Sequence, residues 1–412
     1  MTFETLYKNR LRRSLGREFD SVQGEDAYHL DCLLHPEKYS PVLVTEPCTE
    51  CGNDYACQKS CIFDAIVRKE DGTLYIDPDR CKGCSACIEA CKSGKLTASR
   101  DILPAMKAVR ESGQLSYALI APAFLGQFDA SVTPGQLRNA FKELGFSGMV
   151  EVALFADILT LKEALEFDKN ILTDGDYQLT SCCCPMWIAM IKKIYHELMP
   201  HVPGAVSPMI ACGRVIKELH PDAVTVFIGP CLAKKSEARE SDVKGAVDYV
   251  LTFREVQDIF DAAKIDPSKL PDSEKDHSSR AGRIYARTGG VSEAVRRTVE
   301  QLNPDRRIAV KTRQADGVPA CKAMIEDLKN GNVDANFFEG MGCVGGCVGG
   351  PKAVLEREIG KKLVDIYGNE ATYKTPLENP YVTDLLHRIG IDTIDALLEK
   401  SDIFTRDFSD NR

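Results

Sequence analysis

Residues 223–231 read Ala223-Val-Thr-Val-Phe-Ile228-Gly-Pro-Cys231. A short run of apolar and β-branched residues stopped by Gly-Pro is the pattern of a buried strand. The cysteine comes just past the strand, where ligand sites form in open α/β sheets. Working outward, Ser116–Ala121 reads as a second buried strand and Met149–Leu154 as a third. Pro134–Leu144 reads as a helix stopped by Gly145, and Leu159–Phe167 as another helix. Strands alternating with helices predict an α/β domain with largely parallel sheets flanked by helices. The polar stretch Lys264–Arg280, with two prolines, reads as a surface loop. Val382–Ile389 and Thr393–Glu399 read as helices near the C-terminus.

Bulk composition narrows the class. Of 412 residues, 44% are hydrophobic and 27% charged, which is globular composition and excludes a mainly disordered chain. The formal net charge of -9 argues against nucleic acid as the main partner, because phosphate binding needs clustered cations. No apolar run approaches 18 residues, so no membrane span is expected. Arg12-Arg13 is followed by polar residues instead of an apolar segment, which argues against a twin-arginine export signal and for the cytoplasm.

Seventeen cysteines carry the chemistry. Their number is odd and they fall in tight clusters, as expected for metal binding and not for a secreted disulfide framework. Residues 1–45 read as an N-terminal extension with an amphipathic stretch at Leu6–Leu15, and Cys32 there reads as a semi-buried thiol. Residues 46–98 read as a small α+β module of bacterial-ferredoxin type, too small for a large apolar core, so cofactors must supply much of its folding energy. Cys81-x2-Cys84-x2-Cys87-x3-Cys91 has the bacterial ferredoxin spacing, in which the fourth cysteine serves the other cube. Cys48-x2-Cys51-x5-Cys57-x3-Cys61 is a longer variant. The crossed rule assigns one 4Fe–4S cube to Cys48, Cys51, Cys57 and Cys91, and the other to Cys81, Cys84, Cys87 and Cys61. Gly72–Asp77 between the sets reads as a hairpin-like strand.

Residues 99–412 carry three further motifs. They are Thr180-Ser-Cys-Cys-Cys-Pro-Met-Trp187, Gly229-Pro-Cys-Leu-Ala-Lys-Lys-Ser-Glu237 and Glu339-Gly-Met-Gly-Cys-Val-Gly-Gly-Cys-Val-Gly-Gly-Pro351. Their thiolates suffice for one more cube, and the glycines allow backbone to approach a bulky inorganic group.

With these motifs the sequence resembles the iron-only (FeFe) hydrogenases, and its triple cysteine and Gly-Met-Gly-Cys wording resemble the group B branch. Ala121-Pro-Ala123, Ser207-Pro208 and Thr288-Gly-Gly-Val291 support the resemblance. It implies a two-lobed catalytic domain holding an H-cluster: a 4Fe–4S cube joined to a diiron unit with CO, cyanide and a bridging azadithiolate. By motif, the cube ligands are Cys183 (or Cys184), Cys231, Cys343 and Cys347, with Cys347 shared with the diiron unit. Lys234 matches a donor to cyanide, and Met341, Pro122 and Ser207 match residues of the same pocket. Aligned from Thr180-Ser181, Cys182 is the proton-relay thiol and Cys183 the ligand. Aligned from Pro185 and Trp187, the relay is Cys183 and the ligand Cys184. The first register is preferred. Glu163 and Glu166 match the two glutamates of the proton route, three apart on one helix face; the competing reading is a solvated face. The route's serine falls near Pro203-Gly204, where neither side chain relays a proton. Gly229 and Met209 replace a methionine and a glutamine of the family pattern. Cys212 and Cys321 read as core, and Trp187 as packing beside the cube.

The resemblance thus implies reversible reduction of protons to H2, with electrons from or to a ferredoxin-type carrier and a diiron unit supplied by maturation proteins. A slow-turnover H2 or redox sensor and a non-catalytic Fe–S assembly relative are the alternatives.

Overall fold

In the computed structural model the described residues are 1–16, 26–48, 55–70, 72–180, 183–273, 275–399 and 402–408. Four short strands belong to the Cys-rich part: β1 (Val42–Val44), β2 (Ile66–Arg68), β3 (Leu74–Ile76) and β4 (Leu96–Ala98). β2 and β3 form an antiparallel hairpin, and β1 pairs antiparallel with β4. The expected boundary at residue 45 therefore falls at the end of a paired strand. The module's core mixes Val42, Ile66, Leu74, Ile76 and Leu96 with Cys48, Cys57, Cys81 and Cys87.

The rest contains β5 (Ser116–Ile120), β6 (Gly148–Glu151), β7 (Gln178–Leu179), β8 (Val224–Gly229), β9 (Tyr249–Thr252), β10 (Thr312–Asp316) and β11 (Phe337–Met341). They form two parallel sheets, ordered β6-β5-β8-β9 and β10-β11-β7. β5 and β8 read Tyr-Ala-Leu-Ile and Val-Phe-Ile, apolar on both faces because helices cover both. The third expected strand is shorter than its reading: after Glu151 the chain turns into the helix Ala153–Asn170. That helix is buried around most of its circumference, including Asp157, Lys162 and Glu163.

One further expectation changes, and the N-terminal extension gains a place: it forms the helix Phe3–Ser14. Leu6, Tyr7 and Leu11 join the main core, and Tyr7 donates to Asp258 Oδ2 at 2.8 Å. The Lys264–Arg280 stretch is not surface throughout. Ser278 and Ser279 are buried, and the Asp157 carboxylate accepts from Ser279 N, Ser279 Oγ and Gly282 N at 2.6–2.7 Å. No helix among the described residues is long and apolar enough to cross a membrane.

Candidate metal centre

Parallel pairing puts the exits of β5 and β8 side by side, with Ile120 opposite Ile228. Pro122 and Cys231 therefore lie at one carboxyl edge. In the second sheet Phe338 lies opposite Leu179, which brings Thr180 to the end of β11. Thr180 N donates to Phe338 O at 2.9 Å, and Trp187 Nε1 donates to Thr180 O at 3.1 Å. Gly342 N points at Cys184 Sγ from 3.2 Å. The glycine-dense turn then reaches across to the first sheet, where Lys352 N donates to Pro230 O at 3.0 Å.

Glycine is required here by space. A Cβ on Gly340 would sit 2.0 Å from the Trp187 ring, and one on Gly349 1.9 Å from Val344 O. The turn is also stapled from outside. Asp316 Oδ2 accepts from Thr288 Oγ1 at 2.8 Å and from Gly345 N at 3.0 Å. Glu339 accepts from Gly289 N and Ser292 N at 2.7 Å, which caps the helix Gly290–Leu302. Glu339 lay inside a quoted motif, but no local pattern assigned it a capping role; Asp316 was not singled out.

Four thiols converge electrostatically. Burial, then Cys184, pushes Cys231 up to about 11 against the pull of Lys234. Burial, then Cys231 and Cys184, pushes Cys347 up to about 12. Cys343 is driven well above the thiol range by burial and then by Cys231, Cys184 and Cys347. Cys184 recurs in all three environments. Cys183 and Cys184 both pack against the cluster of Ala156, Ala164, Phe167 and Met341, and Cys184 also packs with Met186 and Cys231. Cys182 and Ser181 lie outside the described residues.

Beside the thiols, Lys234 Nζ donates to Glu237 Oε2 at 2.7 Å with both side chains nearly buried. Burial pulls the Lys234 ammonium down, but Glu237, Cys231 and Cys347 outweigh it and hold the pKa above the ordinary lysine value. Met341 is buried, and the Cys321 thiol donates to its carbonyl at 3.3 Å. The Ser207 hydroxyl caps the helix Pro208–Leu219 by accepting from Ile210 N at 3.4 Å. Glu163 and Glu166 do not form a solvated face. Glu163 is buried, and Glu166 is held by Lys162, itself 3% exposed. Burial raises Glu166 against the pull of Lys162. At the missing serine, Gly204 O accepts from Arg406 N at 3.0 Å, so backbone fills that position.

In the Cys-rich part, Cys61, Cys81, Cys84 and Cys87 line one small enclosed cavity. Burial, then Cys84, Cys81 and Cys61, pushes Cys87 up to about 12. Cys51 lies outside the described residues. Phe63, Cys61 and Cys84 pack in one cluster with Met186, Cys184 and Cys231. Gly83, at φ +68°, has room for a Cβ only 3.0 Å from Leu232 O, so this loop abuts the turn after Cys231.

The donor sets fit iron–sulfur cubes. Among the described residues no three Cys, His, Asp or Glu close on a single ion. Thiolates on separate irons of a cube stand further apart than ligands of one ion. Thiols whose pKa values rise first through burial and then through mutual repulsion need a polycation between them to ionise.

The family model of the iron only hydrogenase large subunit, C-terminal domain, matches residues 114–351, more than half of the chain. That of the 4Fe-4S binding domain matches residues 74–94. Iron hydrogenase 1 of Clostridium pasteurianum is 28% identical over 300 residues, which cover 61% of this chain and 52% of that protein. The periplasmic [Fe] hydrogenase large subunit of Nitratidesulfovibrio vulgaris is 31% identical over 268 residues, covering 55% and 64%. The chain thus spans about half to two thirds of the length of these relatives. The solved [FeFe]-hydrogenase HydA1 of Chlamydomonas reinhardtii shares the fold at a TM-score of 0.62 and 21% identity, covering 74% of this chain and 98% of that one.

Proposed function

The chain belongs to the iron-only hydrogenase large-subunit family, and from that premise we propose that it interconverts protons, electrons and H2. The observation that carries the reading is the meeting of Cys184, Cys231, Cys343 and Cys347 beside the buried Lys234–Glu237 pair. In this reading those four cysteines hold the cube of an H-cluster, with Cys347 shared with the diiron unit. When bound, the group supplies the redox chemistry and the splitting or making of H2.

The chain's own residues bind, orient and insulate. Lys234 presents a charged N–H donor to an anionic ligand, and Glu237 fixes its direction. Met341 and Pro122 wall the pocket and exclude water. Because Cys184 keeps company with the other three thiols, the register counted from Pro185 and Trp187 replaces the preferred one. Cys183 becomes the relay, packed against the same cluster as Ala156, Ala164 and Phe167 of the helix that bears Glu163 and Glu166. Cys182 becomes the additional thiol. The contacts of Phe63, Cys84 and Gly83 make the cube on Cys61, Cys81, Cys84 and Cys87 the one nearer the site. The cube on Cys48, Cys51, Cys57 and Cys91 then faces a ferredoxin-type carrier. The domain division at residues 46–98 and 99–412, the group B assignment, the maturation partners and a cytoplasmic location belong to the same proposal.

One observation favours the slow-turnover sensor as a second reading: Lys162 pins Glu166, and backbone occupies the serine's position. The test is anaerobic infrared spectroscopy after incubation with a synthetic diiron complex, with H2 production assayed on the same sample. CO and cyanide bands with rapid H2 production support the hydrogenase. Bands with feeble turnover support the sensor. No bands, with all cubes intact, overturns both and leaves the assembly relative.

A further inference from the structure

A cleft of about 600 Å³ opens between the Cys-rich module and the α/β domain. One wall is the loop Pro78–Lys82, which leads into Cys81. The other is the helix Pro185–Ile194, whose N-cap is Cys184. Arg406 and Phe408 close one end. The lining carries six cations against four carboxylates. Most of the cations are engaged. Lys82 and Arg406 both reach Glu240, Arg239 pairs with Asp101 at 3.3 Å, and Arg80 with Asp77 at 3.4 Å.

Lys192 and Lys193 make no ion pair among the described residues. Burial first holds both ammoniums below the ordinary lysine value; at Lys192 Glu240 and Asp242 pull up against Arg406 and Lys82, and at Lys193 Lys82 and Arg80 push down against Asp77 and Glu240. Their place in the last turn of a helix accounts for their charge but not for their crowding by other cations. One part-buried and one exposed ammonium, with no ion-pair partner among the described residues and beside Ile188 and Phe408, fit a divalent head group with an organic tail. Lysines suit phosphate as compact point charges, and a phosphate monoester is close to divalent at neutral pH. A concave cleft of this volume fits a small molecule better than the broad surface a protein partner needs.

We propose that this cleft binds a small phosphate-bearing anion through Lys192 and Lys193, with its organic part on Ile188 and Phe408. Occupancy brings negative charge close to Cys81 and so lowers the reduction potential of the cube held there. That consequence, but not the binding, rests on the iron–sulfur reading of Cys81.

The test uses the cube-loaded chain and phenyl phosphate as probe, with inorganic phosphate for comparison. Calorimetry should show saturable one-to-one binding of phenyl phosphate, at least tenfold weaker in Lys192→Gln/Lys193→Gln. Phe408→Ala should weaken phenyl phosphate but not inorganic phosphate. Saturating phenyl phosphate should move the EPR-monitored midpoint of one cube to lower potential. Absent or non-saturable binding, or equal binding by the double lysine variant, overturns the site. Lysine-dependent binding of an acidic ferredoxin without binding of phenyl phosphate also overturns it, in favour of a protein partner. Binding with unchanged midpoints overturns the coupling alone. If the cubes titrate as 4Fe–4S centres in every variant, none of these failures touches the hydrogenase reading.

Discussion

The Cys-rich module and the β6-β5-β8-β9 domain solve the same problem with different materials. The module's strands are three residues long, and cysteines make up much of its buried cluster. Remove the metal and little apolar area remains to offset chain entropy. The sheet domain buries Leu119, Ile120, Phe227, Ile228 and Phe260 in one large core, and Cys184, Cys231, Cys343 and Cys347 are only partly buried while Cys212 is core. In the module the cluster is structure; in the domain, structure holds the cluster.

The largest expected effect separates the two directly. Iron chelation should abolish hydrogen-exchange protection in residues 55–98 while β5 and β8 stay protected. Loss of protection in both at once would break the comparison. Single ligands sharpen it. Cys84→Ala should destabilise the module. Cys184→Ala should remove one EPR-detectable cube and leave the thermal transition of the sheet domain within a few degrees, on the order of 1 kcal/mol. Cys183→Ala should keep iron content and cut H2 production about 10²–10⁴-fold, the range of a lost proton-transfer group.

The seam between the two regions comes next. Lys235 is fully buried and bonds Asp101 and Glu255 at 3.1 Å, tying the chain that leaves β4 to the helix Ala233–Glu237. Lys235→Met should cost about 3–5 kcal/mol in urea denaturation, because the buried Glu255 loses its cation and Asp101 keeps only Arg239. A cost under about 1 kcal/mol would show the seam to be held by packing alone.

The smallest effect is a pH dependence confined to the sheet domain. Burial pushes Asp157 up to about 6, against four hydrogen-bond donors. A carboxyl with a raised folded pKa takes up a proton on folding. Its contribution to stability is therefore present below the ordinary Asp range and is lost as pH rises through about 6. Relative to Asp157→Asn, the parent chain should lose up to about 3 kcal/mol between pH 4 and pH 7.5. An unchanged difference would place the titration outside that window.

Much of this was legible in the sequence. Cysteine spacing marked the metal motifs, and the apolar runs of β5 and β8 gave the α/β class. The second sheet was not legible: β7 has two residues, and β11 lies inside a motif whose glycines read as cluster loop. Nor was the docking of residues 3–14, since Leu6, Tyr7 and Leu11 share a face among charged neighbours and the sequence does not say what that face meets. The triple cysteine shows a sharper limit. Three identical side chains in a row carry no local signal of direction, and only the turn into the helix Pro185–Ile194 decides which one joins Cys231. The burial around Glu163 and Glu166 was not legible, because a helix apolar on nearly every side has no polar face to announce.

The antiparallel pairing of β1 with β4 has a consequence for synthesis. Val42–Val44 leaves the ribosome about fifty residues ahead of Leu96–Ala98. At ordinary elongation rates that is a wait of roughly 3–10 s. Within that interval the first cysteine set is translated well before Cys91 and before the strand partner of β1. Iron delivered early meets an incomplete ligand set, so timing of translation, as much as affinity, governs which cube is built first.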